Sequence, residues 1–135
     1  MRYIGIDYGA RRIGWATADG ETRIAVPRGV ILRENDSQAI GEIAAVLKSE
    51  SIEGIIIGVP LGHDGRETDE SREVRAFADK LKEKINVPIE FENEMFTTRM
   101  AAHEGVKKEN ADASSAAIIL QSYLDNSIRE YTNDK

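Results

Sequence analysis

The chain has 135 residues, of which 41% are hydrophobic, enough to bury one sizeable core and too few for a two-domain enzyme. It contains no cysteine and only His63 and His103, which excludes disulfides, thiolate nucleophiles and Cys- or His-built zinc sites, so any metal is expected to be a hard cation held by oxygen. A net charge of -6 argues mildly against non-specific nucleic-acid binding, although Arg11, Arg12, Arg23, Arg28 and Arg33 crowd the first quarter of the chain. No run approaches the ~18 apolar residues of a membrane span, and the charged start lacks the apolar core of a secretory signal. A single cytoplasmic domain over 1–135, with no membrane partner, is the expectation.

Two apolar strands, about 2 to 7 and 12 to 18, are predicted around the turn Tyr8-Gly9-Ala10-Arg11, with Asp19-Gly20 marking the next turn. Ile24 to Leu32 reads as a third strand, and Pro27 within it removes a ladder donor, which puts this strand at a sheet edge or a bulge. From Asp36 the period becomes helical, with Ile40, Ile43, Ala44 and Leu47 on one face and Asn35, Asp36 or Ser37 able to cap it. Gly54 to Gly58 is apolar on both faces, as a central parallel strand requires. A loop rich in turn formers, 59–68, leads into a helix whose buried stripe is Val74, Phe77, Ala78, Leu81 and Ile85.

Pro88 to Glu94 is predicted as a fifth strand, with Ile89 and Phe91 alternating against Glu90 and Glu92. Thr97-Thr98 can cap a short helix that Gly105 ends, and Lys107 to Asn110 reads as a polar loop. A last helix is predicted from about Asp112 to Tyr131, with Ala113, Ala116, Ala117, Leu120 and Leu124 on one side. This order fits an α/β fold of ribonuclease H-like type: a five-stranded mixed sheet, order 3-2-1-4-5, strand two antiparallel to the others, flanked by helices.

Three acids stand at matching places in that arrangement: Asp7 ending the first strand, Glu94 ending the fifth, and Asp112 opening the last helix. Each has an ordinary reading of its own, as a turn aspartate, a solvated strand-end acid and a helix N-terminal acid favoured by the dipole. Together they would repel one another unless cations met them, and two divalent ions ~3.5 to 4 Å apart are the usual solution in phosphodiester cleavage. His63 could shuttle protons beside such a cleft, against the plainer reading of a solvated loop residue. Lys107 and Lys108 could grip phosphates, and Tyr8 or Trp15 could stack on bases, although a tryptophan on an internal strand is more often core and only Tyr8 at the turn stays open.

Four segments carry a resemblance that spans Met1 to about Asp125: GIDYGARRIGWA at 5–16, IIIGVPLGHDGRET at 55–68, ENEMFTTRMA at 92–101 and DASSAAIILQSYLD at 112–125. In order and at these spacings they resemble the Holliday junction resolvase family of the ribonuclease H-like superfamily, also described as pre-16S rRNA nucleases. The resemblance implies a metal-dependent endonuclease acting on structured RNA or branched DNA as a monomer or homodimer, with Mg2+ or Mn2+ held by Asp7, Glu94 and Asp112. It implies that Arg12, with Arg11, Lys107 and Lys108, meets phosphate, and that Gly58, Pro60 and Gly65 shape a loop beside the site. Departures from the family pattern are Asn93 in place of an acid, Met95 in place of an arginine, and the pair Gly62-His63. Met95 cannot make the charge-assisted contact to phosphate that arginine makes.

Two other classes compete. A non-catalytic nucleic-acid-binding or ribosome-associated factor could keep the same acids in vestigial form. An ATP-binding domain of the actin and sugar-kinase type opens with a similar strand, aspartate and glycine turn, but closes two related domains over its nucleotide, and this chain is long enough for one.

Overall fold

In the computed structural model, which describes residues 1–93 and 108–133, the strands are β1 (Arg2–Tyr8), β2 (Arg12–Asp19), β3 (Ala25–Leu32), β4 (Gly54–Val59) and β5 (Ile89–Asn93). The helices are α1 (Asp36–Ser49), α2 (Asp69–Lys84) and α3 (Lys108–Asn133). The sheet has the order β3-β2-β1-β4-β5. β2 runs antiparallel to β1 and β3, while β1, β4 and β5 are mutually parallel. The expected ribonuclease H-like architecture is therefore the observed one. Among the described residues no helix is long and apolar enough to cross a membrane.

The central strand is the continuous apolar run: Ile55, Ile56 and Ile57 are all buried, as a strand covered on both faces must be. Ile55 and Ile57 join Ile4, Ile6 and Ile13 beneath α1 and α2, where Ile43, Leu47, Val74, Phe77 and Leu81 complete the larger core. Ile56 faces the other way, with Ala16 and Ala18, against Ala116, Ile119, Leu120 and Leu124 of α3. Asn35 caps α1, its side chain accepting from the backbone N–H of Gln38 at 2.7 Å. Ile85, expected within the second helix, is instead the residue that ends α2.

β3 lies at the sheet edge, as Pro27 demands, and carries a bulge as well. Gly29 pairs with Trp15 and Pro27 with Ala16, leaving Arg28 as the extra residue. Arg28 uses that freedom to reach inward: its guanidinium donates to the buried Thr17 hydroxyl at 3.1 Å and lies 5.5 Å from the centre of the Trp15 ring. Trp15, half-buried against the larger core, is thus a packing residue rather than a base-stacking one.

One element differs from expectation. α3 starts at Lys108, so 108–110 are helical rather than a loop, and Asp112 is not the helix's opening residue. Lys108, Glu109, Asn110 and Ala111 include no glycine or proline to stop a helix, and polarity alone does not separate a loop from a first turn. The dipole argument for Asp112 weakens accordingly, because the favourable field falls off within the first turn. The short helix expected after Thr97-Thr98 lies outside the described residues, as do Met95 and Gly105.

Candidate active site

The site grows from two glycines. A β-carbon on Gly5 of β1 would stand 2.7 Å from the Ala116 carbonyl oxygen and from the Leu120 β-carbon, and one on Gly14 of β2 would overlap the backbone of Asp112. An isolated strand glycine often marks close backbone approach. With Ala16 and Ala18 also small, this face of the hairpin lets α3 lie almost directly on the sheet.

Asp7 is two residues beyond Gly5 and directly opposite Gly14 in the antiparallel pairing. Residues two apart, and residues paired across strands, share a face of the pleat, so Asp7 projects on the side where α3 lies. Both Asp7 and Asp112 are half-buried. Pairing fixes Asp7 through β2, and the same Gly14 that faces it receives the backbone of Asp112. Gly14 thus adjoins the backbones of two of the three acids singled out in the sequence.

Glu94 lies outside the described residues. What the structure does give is the strand leading to it. Glu92 pairs with Gly58 and Asn93 with Val59, so β1, β4 and β5 end at the same edge of the sheet. Glu92 accepts hydrogen bonds from Ser122 at 3.3 Å and Asn126 at 3.1 Å, tying β5 to α3.

The donor chemistry suits a hard divalent cation: carboxylate-bearing residues, half-buried, in a chain without cysteine. Among the described residues no group of three or more His, Cys, Asp or Glu side chains gathers as a metal site. The set expected from the sequence needs Glu94 as its third member.

Arg11 and Arg12 are exposed at the start of β2, and pleat alternation puts Arg12 on the same face as Gly14, hence on the face of Asp7. Among the described residues neither arginine side chain has an acid within ion-pair distance. Lys107 lies outside the described residues. Lys108 is the first residue of α3, and its side chain is likewise not described.

The loop after β4 is fastened to α2. Thr68 donates to the Pro60 carbonyl at 2.9 Å while its hydroxyl accepts from the Ser71 N–H at 3.0 Å, and Ser71 donates to Glu67. The Ser71 hydrogen bond, followed by those of Arg75, holds the Glu67 carboxyl below its ordinary range. Gly65 sits at φ 77°, and the loop closes through Gly65 N–H to the Gly62 carbonyl at 2.9 Å. Pro60 faces Tyr8, Gly9 and Ala10 across a cleft of about 250 Å3 that Glu70 and Glu73 also line. His63 is exposed at the tip.

Tyr8 is not available to a base. It stacks on Phe77 at 4.4 Å between ring centres and donates to Asp36 at 3.2 Å. Burial, and then the Asp36 charge, raises its hydroxyl above the ordinary phenol range. Sequence reasoning missed Gly14 as a close-approach position and missed the partners of Asp36. Glycines in strands carried the first signal, and nothing local carried the second.

Residues 1–126 match the family described as RuvX: Holliday junction resolvase. A protein of Anaplasma marginale (strain St. Maries) named "Putative pre-16S rRNA nuclease" is 39% identical over 132 residues, 92% of this chain and 84% of its own. Thermus thermophilus RuvC, solved in complex with Holliday junction substrate, superposes with a TM-score of 0.60 at 19% identity, over 95% of this chain and 96% of that one. The Fowlpox virus resolvase, solved with substrate Holliday junction DNA, gives 0.63 at 11% identity over 95% and 99%. At such identities the two structures speak for the fold.

Proposed function

The chain belongs to the RuvX Holliday junction resolvase family, and from that premise we propose that it is an endonuclease hydrolysing phosphodiester bonds in structured nucleic acid. Maturation of pre-16S rRNA and resolution of Holliday junctions are the two candidate reactions. The observation that supports the reading is the approach of the Asp7 and Asp112 backbones to the same residue, Gly14. Family membership also removes the sugar-kinase alternative.

Asp7, Asp112 and Glu94 would hold Mg2+ or Mn2+. When bound, the cation supplies Lewis-acid polarisation of the scissile phosphate and offsets the charge of the leaving oxygen. The chain's own contribution is preorganisation. Asp7 is set by pairing with β2 and Asp112 by helix packing, so neither must be ordered when substrate arrives. Arg12 donates hydrogen bonds to a backbone phosphate on the face of Asp7, and Arg11, Lys107 and Lys108 are the further phosphate-binding candidates. Gly58 belongs to β4 rather than to the loop it was expected to shape; the fastened loop that follows, with Pro60 and Gly65, forms the wall opposite the turn. No membrane partner enters this reading, and its place of action is the cytoplasm.

A cleavage screen with Mg2+ and with Mn2+ against pre-16S rRNA, unstructured single-stranded RNA and four-way junction DNA tests it. Cation-dependent cleavage of the precursor or of the junction, with little of the unstructured strand, is the expected result. Tight binding without cleavage under any cation would replace the nuclease with a binding factor.

A further inference from the structure

On the face of the sheet opposite Asp7, one carboxylate gathers the elements that carry the turn between β1 and β2. Asp36, in the first turn of α1, accepts from Arg33 Nε at 2.8 Å and from Tyr8 at 3.2 Å on Oδ1, and from Lys80 Nζ at 2.8 Å on Oδ2. Arg33 then turns to the backbone. Its Nη1 donates to the Ala10 carbonyl at 2.8 Å, and its own N–H donates to the Arg11 carbonyl at 2.8 Å. The Arg33 guanidinium also lies 5.7 Å from the centre of the Tyr8 ring.

The turn is therefore gripped from both ends. Tyr8 follows Asp7 directly, and Ala10 and Arg11 precede Arg12. A planar guanidinium with five donors in a fixed fork can serve a carboxylate and a carbonyl at once; a lysine ammonium on a flexible stem holds one such geometry poorly. Arg33 and Asp36 are 23% and 17% exposed, so water competes little for these bonds, whereas Lys80 is 59% exposed and its hydrogen bond goes to Asp36 rather than to the turn.

We propose that Arg33 and Asp36 are positioning residues, which fix the turn so that Asp7 and Arg12 face the substrate in one geometry. The kinetic part of the proposal rests on the nuclease reading above; the structural part does not. A misplacement of about 1 Å at a reacting group can cost on the order of a hundredfold in rate.

Four variants separate this role from simple ion pairing: Arg33→Lys, Arg33→Met, Asp36→Ala and Lys80→Met. Two readouts are taken: amide hydrogen exchange of Gly9 to Arg12 in metal-free protein, and kcat with KM for cation-dependent cleavage. Arg33→Lys keeps the charge beside Asp36, and with it the fold. It is nevertheless expected to speed turn exchange and lower kcat by about tenfold or more, as Arg33→Met and Asp36→Ala do. Lys80→Met is expected to stay close to wild type in both. Wild-type exchange and kcat in Arg33→Lys, or a Lys80→Met loss as deep as that of Asp36→Ala, would overturn the proposal. If the wild-type protein cleaves nothing, the nuclease reading falls by itself, and exchange in the turn still decides for or against the grip.

Discussion

The backbone of Asp112 occupies the space that a side chain at Gly14 would need. Relief would require moving the main chain of α3 rather than rotating a flexible side chain. Gly14→Ala is therefore expected to cost about 1–3 kcal/mol in urea unfolding, and to reduce cleavage by about a hundredfold even where the fold survives. Wild-type activity in a folded Gly14→Ala protein would mean that the seat of Asp112 is irrelevant to the chemistry.

Gly41 offers the opposite case. It lies inside α1, exposed, and a β-carbon there would meet nothing within 4 Å. Gly41→Ala should stabilise the protein by roughly 0.5–1 kcal/mol through helix propensity, with cleavage unchanged. Thermal or urea unfolding reads the gain, and a loss of stability would show that the groove beside α2 is tighter than the structure has it.

Arg12 is exposed on the face of Asp7 with no acid within ion-pair distance among the described residues. Arg12→Ala should weaken nucleic-acid binding alike for all sequences and reduce the slope of log affinity against log salt by about one. Binding isotherms at several salt concentrations provide the measurement. An unchanged slope would assign Arg12 to the fold.

Asp36 gives a pH signature. Burial alone would raise its carboxyl, but the hydrogen bonds and charges of Lys80 and Arg33 outweigh burial and hold it below its ordinary value of 3.8. A carboxyl lowered in the folded state contributes stability that is present above the unfolded value and lost as pH falls through the folded one. Asp36→Asn should thus be less stable than wild type at neutral pH, with the gap closing below about pH 3.8. Urea unfolding from pH 7 down to the acid limit tests this, and a gap independent of pH would contradict it.

Much of this was legible in the residues. The strand order followed from a meander, two crossover helices and the continuous Ile55-Ile56-Ile57 run, and Pro27 announced the edge and its bulge. The place of Asp7 near the end of the first strand was legible too, whereas Asp112, expected to open the last helix, lies a turn inside α3. What the sequence hid is tertiary. Nothing local says that Arg33 reaches Ala10, or that Tyr8 turns from solvent to Phe77 and Asp36, since each pairing depends on where α1 and α2 land on the sheet. The extra helical turn before Asp112 escaped because its residues carry no apolar stripe.

Asp7 carries the proposed nuclease chemistry most directly. Asn keeps the shape of the side chain and removes the charge, so cleavage of pre-16S rRNA and of junction DNA by Asp7→Asn, compared with wild type across a Mn2+ titration, isolates the carboxylate. The prediction is loss of cation-dependent cleavage of whichever substrate the wild type cuts, with metal-free stability equal to or above wild type, because the proposed co-ligands Asp112 and Glu94 are themselves acids and would repel the Asp7 charge. Cleavage by Asp7→Asn at the wild-type rate and with the same Mn2+ midpoint would contradict it.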